Sequence, residues 1–258
     1  MRPMRAIGSL LLALALAVPV LGADLAPTGT LRAAFIADNP IQGRVDPRTG
    51  EASGVAADLS RELARRLGVA LTILPLPNPA AVIDSVRTGK ADIGFLAYEP
   101  DRAGQVAFSK PYLLSPSAYL VRADSDIRTS ADVDRAGVTV GAAKGASQQI
   151  YVSATLTRAR VDILPAAPAA EAMAALIASG RLDAFAANRQ RLEDAARTSS
   201  QVRILEDDFM VAEQAIVVAP GDPSRVADLN SFLGDLRATG VLKTIVDRAN
   251  LGGVALAP

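Results

Sequence analysis

Apolar and polar positions along the chain predict strands and helices in alternation. Apolar residues recur every four positions from Val55 to Leu67 and Gly68 follows, which predicts an amphipathic helix with a glycine stop. Short apolar runs without helical period predict strands, and the turn-forming residues at 45–54 predict a loop or hairpin. The predicted strands are 30–37, 70–76, 91–97, 117–122, 138–142, 161–166, 181–187, 202–205 and 214–220, and the predicted helices are 55–68, 79–89, 129–137, 146–157, 167–180, 188–197, 222–239 and 240–248. This alternation predicts an α/β protein with mostly parallel sheets.

The segment 1–23 has the order of features of a secretory signal peptide. Arg2 and Arg5 precede an apolar run, small residues end it, and acidic residues begin only afterwards. The run is shorter than the roughly 20 apolar residues that a membrane-spanning helix needs. We therefore expect cleavage after Gly22 or Ala23 and a mature protein that is soluble in a bacterial periplasm.

Composition excludes several classes of chemistry. The chain has 258 residues but no histidine and no cysteine, which excludes a Ser-His-Asp triad, a thiol nucleophile, a disulfide and an ordinary zinc site. Lys+Arg and Asp+Glu are equal at 27 each, which does not match the basic surface of a nucleic-acid-binding protein. We predict no metal, no cofactor and no nucleic-acid partner, whereas an enzyme that uses carboxylates or lysine stays open.

Arg102 is distinguished by its place after a predicted strand. It follows the strand 91–97, and open α/β sheets bind ligands at the carboxyl ends of their strands. Its guanidinium presents a planar fork of donors that matches a carboxylate. The alternative is a surface arginine that pairs with Asp101 or Glu99 and contributes little. Position alone favours this alternative.

Three segments in order carry a family resemblance. These are "GVAADLSRELARRLGV" at 54–69, "AVIDSVRTGKADIG" at 81–94 and "PDRAGQVAFSKPY" at 100–112. Their order and spacing resemble the periplasmic solute-binding proteins of ABC importers, in the polar amino-acid (family 3) branch. The resemblance covers essentially the whole mature chain.

The resemblance implies a two-lobed periplasmic-binding-protein type II (venus-flytrap) fold. In that fold two α/β lobes with mostly parallel sheets are joined by two crossing strands, and the ligand lies in the cleft between them. We expect lobe 1 to contain 24–117 and 215–258, and lobe 2 to contain 118–214.

The resemblance also assigns an anion clamp to two segments. In the family, the arginine of a Pro-[Glu/Asp]-Arg turn binds the ligand's carboxylate; Arg102 matches it, and Ala97 ends the preceding strand. Gly145 and Ser147 lie where a strand leads into a helix, where free N–H groups and the helix N-terminus favour an anion. Ser147 matches the family's second hydroxyl, and Ala146 departs from the first. The alternative for Ser147 is a plain helix N-cap.

Other positions depart from the family pattern and bear on which ligand fits. Where amino-acid binders place an aspartate that pairs with the ligand's ammonium, this chain has Asn188, which cannot neutralise a cation and also suits an N-cap. Asn39 stands where many relatives carry a stacking aromatic residue, and Tyr98 is expected either to supply that surface or to pack as an ordinary tyrosine. Glu213 and Gln214 are expected at the cleft or, alternatively, at a solvated hinge.

These features predict a monomeric binding protein that captures a small carboxylate-bearing solute, either amino-acid-like or an organic acid. Hinge closure traps the solute between the lobes, and the closed form is presented to an ABC permease in the inner membrane. The alternative is an enzyme on the same scaffold that resembles cyclohexadienyl dehydratases, for which Glu213 or Glu99 would supply the acid.

Overall fold

The computed structural model describes residues 23–37 and 39–258, so positions 1–22 of the predicted signal peptide lie outside the described residues. The strands are β1 Thr30–Ile36, β2 Arg44–Val45, β3 Ala52–Ser53, β4 Ala70–Leu76, β5 Ile93–Ala97, β6 Ala107–Phe108, β7 Leu113–Arg122, β8 Thr139–Ala143, β9 Arg160–Leu164, β10 Ala184–Asn188, β11 Val202–Ile204, β12 Met210–Val218 and β13 Ala255–Leu256. The helices are α1 Val55–Leu67, α2 Pro79–Arg87, α3 Ser147–Thr155, α4 Ala170–Ala178, α5 Arg189–Ala196, α6 Pro223–Ala238 and α7 Val241–Arg248. Short 3₁₀ turns occur at Ala23–Leu25, Pro100–Arg102 and Ser130–Val133.

Eleven of the described strands form one continuous sheet with two parallel parts, and β2 and β3 form a separate hairpin. The order of the large sheet is β4-β1-β5-β12-β7-β10-β8-β9, with β6, β11 and β13 paired at its sides. Strands β4, β1 and β5 pair in parallel, as do β10, β8 and β9. Strands β7 and β12 run antiparallel to each other and to their outer neighbours. These two long strands are the connection between the parts, which matches the expected crossing strands.

Buried apolar residues divide between the two parts. Two clusters pack around β1 and β5 and draw their buried members from 25–113 and 216–246. Two others pack around β8 and β10 and draw theirs from 118–205. We call the part with β1, β4 and β5 lobe 1 and the part with β8, β9 and β10 lobe 2. The exact lobe bounds given above, 24–117 with 215–258 and 118–214, remain a prediction.

Helix α1 shows how the sequence pattern produces its element. Its buried positions include Val55, Leu59 and Leu63, as the fourfold spacing predicts. Gly68 ends the helix in the left-handed region at φ 67°, which glycine adopts without the steric cost of a Cβ, and its N–H donates to the carbonyls of Ala64 and Arg65. No described helix is long and apolar enough to cross a lipid bilayer.

Four predicted elements differ clearly in extent from the structure. Strand β7 begins at Leu113 and β12 at Met210, each four residues before its predicted start, because the two strands pair with each other beyond the apolar run. The predicted helix at 129–137 is only a 3₁₀ turn with a capping box between Thr129 and Asp132. Helix α4 begins at Ala170 rather than at 167, since the residue before Pro168 is restricted to extended conformations.

Candidate functional site

A cavity of about 490 Å³ lies between the lobes. It is lined by the segments that follow β1, β4 and β5 on one side and β8, β9 and β10 on the other. Because these are the carboxyl ends of parallel strands, the cavity occupies the position where open α/β sheets bind their ligands. The residues that carry hydrogen-bonding or charged groups into its lining are Asn39, Gln42, Asn78, Arg102, Lys144, Ser147, Gln148, Asn188, Arg191 and Gln214.

Arg102 is buried in this cavity without a carboxylate partner among the described residues. It ends the 3₁₀ turn after β5 and is 5% exposed. Its Nη1 donates to the carbonyl of Ala97 at 2.7 Å and its Nη2 to the carbonyl of Gly145 at 2.8 Å. Burial lowers the pKa of the guanidinium, and the charge of Glu99 opposes that effect. Two carbonyl dipoles therefore hold a buried cation whose full charge is not neutralised by an ion pair.

The connection between β8 and α3 faces Arg102 from lobe 2. Gly145 turns the chain at φ 73°, and its N–H donates to Oε1 of Gln149 at 3.0 Å. The expectation of a free N–H that lines the cleft at Gly145 is therefore wrong: this N–H is committed to a side chain, and the residue contributes its carbonyl to Arg102 instead. Ala97 does line the cavity and meets Arg102 in the same way.

Ser147 lies at the start of α3 and lines the cavity. The N-cap position belongs to Ala146, so the alternative of a plain N-cap at Ser147 is wrong. Ser147 is 5% exposed, and its Oγ is buried without a hydrogen-bond partner in the described structure. A buried hydroxyl without a partner costs about 1–3 kcal/mol. This cost is relieved if a ligand group or a rearrangement on binding supplies the missing partner.

Asn188 meets Asn39 across the cavity. The Oδ1 of Asn188 accepts from the N–H of Arg191 at 2.9 Å, which makes Asn188 the N-cap of α5 as the sequence predicts. Its Nδ2 donates to Oδ1 of Asn39 at 3.2 Å. Both residues line the cavity, so the N-cap role and a place at the site hold together. The site therefore carries two neutral amides, Asn188 where the resemblance implies an aspartate and Asn39 where it implies an aromatic ring.

Two residues expected at the cleft lie outside it. Tyr98 is 45% exposed, and its ring packs edge-to-face against Phe108 at 5.1 Å, so the expectation that it supplies the missing aromatic surface is wrong. Glu213 is exposed and does not line the cavity, whereas the adjacent Gln214 does. The reason is the alternation of side chains along a strand, which turns Glu213 and Gln214 to opposite faces of β12.

The described charged side chains that line the cavity all carry the same sign. Arg102, Lys144 and Arg191 are cationic, and no carboxylate occurs among the lining residues that the structure describes. Glu99 and Glu213, the acids that a dehydratase-like site would need, are both absent from that lining. The described residues also hold no cluster of side chains suited to a metal ion. The described lining favours an anionic ligand over a cationic one.

Sequence reasoning missed several polar residues of the site. Gln42, Gln148, Lys144 and Arg191 line the cavity. Gln42 is 1% exposed, accepts from the N–H of Ile36 at 2.7 Å and donates to the carbonyl of Phe95 at 3.0 Å. A buried glutamine that joins two strands leaves no periodic signal in the sequence. The place of Gln148 in the first turn of α3 was a usable signal, because that turn borders the predicted clamp.

Two known binding proteins are similar to this chain in sequence. The chain is 24% identical over 233 residues to the L-arginine-binding protein of Pseudomonas aeruginosa, covering 83% of this chain and 89% of that protein. It is 28% identical over 171 residues to the glutamine-binding protein of Geobacillus stearothermophilus, covering 65% of this chain and only 64% of that relative's length.

A crystal structure supports the fold. An ancestral amino-acid-binding protein that is a precursor of cyclohexadienyl dehydratase superposes with a TM-score of 0.73 at 24% identity, over 87% of this chain and 96% of that chain. This likeness confirms the two-lobed type II periplasmic binding protein fold. The model of the bacterial extracellular solute-binding proteins, family 3, matches residues 31–250. The chain therefore belongs to the family 3 bacterial extracellular solute-binding proteins.

Proposed function

We propose that this protein captures a small carboxylate-bearing solute between its lobes and delivers it to an ABC importer. The observation that supports this most is Arg102, a buried guanidinium with no carboxylate partner among the described residues. A ligand carboxylate supplies the missing negative charge and accepts hydrogen bonds from the planar guanidinium. Ser147, two residues after the Gly145 carbonyl that Arg102 contacts, adds a buried hydroxyl to the cavity.

The proposed solute lacks an α-ammonium group. The named relatives bind glutamine and L-arginine, which are both α-amino acids. At Asn188 this chain offers an amide whose Oδ1 already caps α5, and no described lining residue carries a carboxylate. A buried ammonium without a countercharge costs several kcal/mol. We therefore expect ordinary neutral and cationic α-amino acids to bind weakly or not at all.

The proposed cycle is hinge closure in the periplasm. The sequence features of 1–23 favour export, and the monomer then closes around its solute by bending at β7 and β12. A solute that contacts Arg102 from lobe 1 and Ser147 from lobe 2 shifts the population toward the closed form. That form is the one presented to the inner-membrane permease.

The test begins with native mass spectrometry of the purified protein, which identifies a solute trapped in the cavity. Calorimetry then measures the affinity of that solute for the wild type and for Arg102→Ala. We expect a carboxylate, and a loss of affinity on the order of 100-fold or more, because the variant leaves the ligand's charge buried and unpaired.

Two controls accompany this measurement. Arg102→Lys keeps the charge but loses the planar fork, so an intermediate loss is expected. Arg87→Ala removes an exposed arginine that pairs with Asp84 at the surface, and the affinity should not change. A trapped solute without an acidic group, or an Arg102→Ala variant that binds like the wild type, would refute the proposal.

A further inference from the structure

One wall of the cavity is apolar. The end of β4, the short connection after it and the start of α2 together supply three prolines and a leucine, and β1, which pairs with β4, continues the same surface. The N–H of Ala37 donates to the carbonyl of Leu76 at 2.8 Å, which fixes the two segments side by side. We call this surface the proline wall, and its residues are Ile36, Ala37, Pro75, Leu76, Pro77 and Pro79.

The proline wall offers no charge to a ligand. The run 75–79 reads Pro-Leu-Pro-Asn-Pro, and the Oδ1 of its single polar residue, Asn78, accepts from the N–H of Ala81 at 2.9 Å as the N-cap of α2. The residues of the wall are half-buried or exposed. Apolar surface that faces a binding cavity is stabilised when an apolar group covers it.

Apart from Asn78, the hydrogen-bonding and charged groups of the cavity lie outside this wall, where they alternate with apolar residues such as Phe185 and Leu96. Arg102 and Ser147 lie at the anion clamp, and the amide pair of Asn188 and Asn39 offers neutral hydrogen bonds. The cavity therefore presents three kinds of surface to one small molecule: cationic groups, of which Arg102 is the buried one, neutral amides and an apolar wall. A ligand that fits all three has a carboxylate, an uncharged polar atom and an apolar tail.

We propose that the solute is an aliphatic 2-oxo or 2-hydroxy acid. Its carboxylate binds Arg102, its C2 oxygen accepts from an amide of the pair at Asn188 and Asn39, and its aliphatic tail covers the proline wall. This inference rests on the proposed function, because it takes the Arg102 cavity as the site of capture. It goes further by naming the chemistry at C2 and of the tail.

The test compares pyruvate with 4-methyl-2-oxopentanoate by calorimetry. The two probes share the carboxylate and the 2-oxo group, and differ by three tail carbons. Each buried carbon contributes roughly a fourfold gain, so we expect the longer acid to bind about 50-fold more tightly. Pro77→Glu places a charge on the wall and should reduce this ratio by about tenfold, with a smaller effect on pyruvate.

Pro47→Glu makes the same change at an exposed proline of the β2–β3 hairpin that does not line the cavity, and should leave the ratio unchanged. 2-Oxoglutarate and L-arginine, with charged tails, should bind more weakly than 4-methyl-2-oxopentanoate. The inference is overturned if neither oxo acid binds, if a charged tail is preferred, or if Pro77→Glu has no effect on the ratio. In any of these cases, if Arg102→Ala abolishes binding of the solute identified by native mass spectrometry, the proposed function survives and only the assignment of C2 and the tail fails.

Discussion

The interpretation of Arg102 differs between the sequence alone and the structure. At the surface an arginine beside Asp101 and Glu99 would form a weak ion pair. In the structure it is 5% exposed and joins carbonyls from both lobes, at Ala97 and Gly145. The low dielectric of the cavity makes its unneutralised charge costly and makes a ligand anion correspondingly favourable.

Asn188 supports a residue-scale prediction about ligand class. Asp caps a helix as well as Asn does, so Asn188→Asp should preserve α5 while it adds a carboxylate to the cavity. We expect the affinity for L-leucine to rise by about tenfold or more and the affinity for 4-methyl-2-oxopentanoate to fall. These two probes differ only at C2, so paired calorimetry reports on the ammonium alone.

The chain contains a matched control for this change. Asn78 also lines the cavity and caps a helix, α2, but on the proline wall. Asn78→Asp adds the same charge at a different place and should alter the leucine preference much less. Equal responses of the two variants would show that the general charge of the cavity, rather than a position beside C2, sets the preference.

At the scale of an element, α1 is stabilised by apolar burial and by charges on its exposed face. Glu62 accepts from Arg65 and from Arg66, each at 2.8 Å. The hydrogen bond from Arg65 is the main cause that lowers the pKa of Glu62 from 4.5 to about 2; burial opposes it and Arg66 supports it. The folded state therefore stabilises the ionised form of the Glu62 carboxyl more than the unfolded state does.

This shift predicts a pH-dependent stability. Because the folded pKa is depressed, the contribution of Glu62 is fully present above pH 4.5 and is lost as the pH falls toward 2. Glu62→Gln should lower the free energy of unfolding at pH 7 by about 1 kcal/mol, since the arginines are partly exposed to solvent. Urea unfolding followed by circular dichroism should show wild type and variant converging near pH 2. A constant difference across this range would contradict the assignment.

The sequence predicts the end of an element correctly where the preference of a single residue sets that end. The stop of α1 at Gly68 and the cap of α5 at Asn188 follow from local backbone preferences, and both are confirmed. The early starts of β7 and β12 were not predicted, because Ser115 and Glu213 interrupt the apolar pattern. Those residues are held in strands by hydrogen bonds between the two chain segments, which local sequence does not encode.

For the molecule as a whole, contacts between the lobes outside the cavity bear on closure. Arg44 of the β2–β3 hairpin donates to the carboxylate of Asp194 on α5, and Nε2 of Gln190 donates to the carbonyl of Gly252. Arg44 and Asp194 lie at a second cleft between the lobes, away from the residues that line the ligand cavity. Contacts made only when the lobes are closed raise the population of the closed form.

Arg44→Ala should therefore shift the ligand-free protein toward an open form. Small-angle X-ray scattering should show a larger radius of gyration without solute, and the affinity for solute should fall a few-fold, as expected from a weak ion pair. Arg48→Ala, in the same hairpin and much more exposed, is the control and should change neither. An unchanged radius of gyration in Arg44→Ala would mean that the ion pair does not affect closure.

The sequence by itself determined the alternation of elements and the family, and it singled out Arg102 as a candidate ligand-binding residue, since hydrophobic period, caps and a coupled set of motifs are local properties. Only the tertiary structure decided that Gln214 rather than Glu213, and a proline wall rather than Tyr98, line the cavity. It also decided that Gly145 contacts Arg102 through its carbonyl instead of offering a free N–H. Strand register and the approach of two lobes set these choices. They depend on pairing between residues far apart in the chain, which a local pattern does not contain.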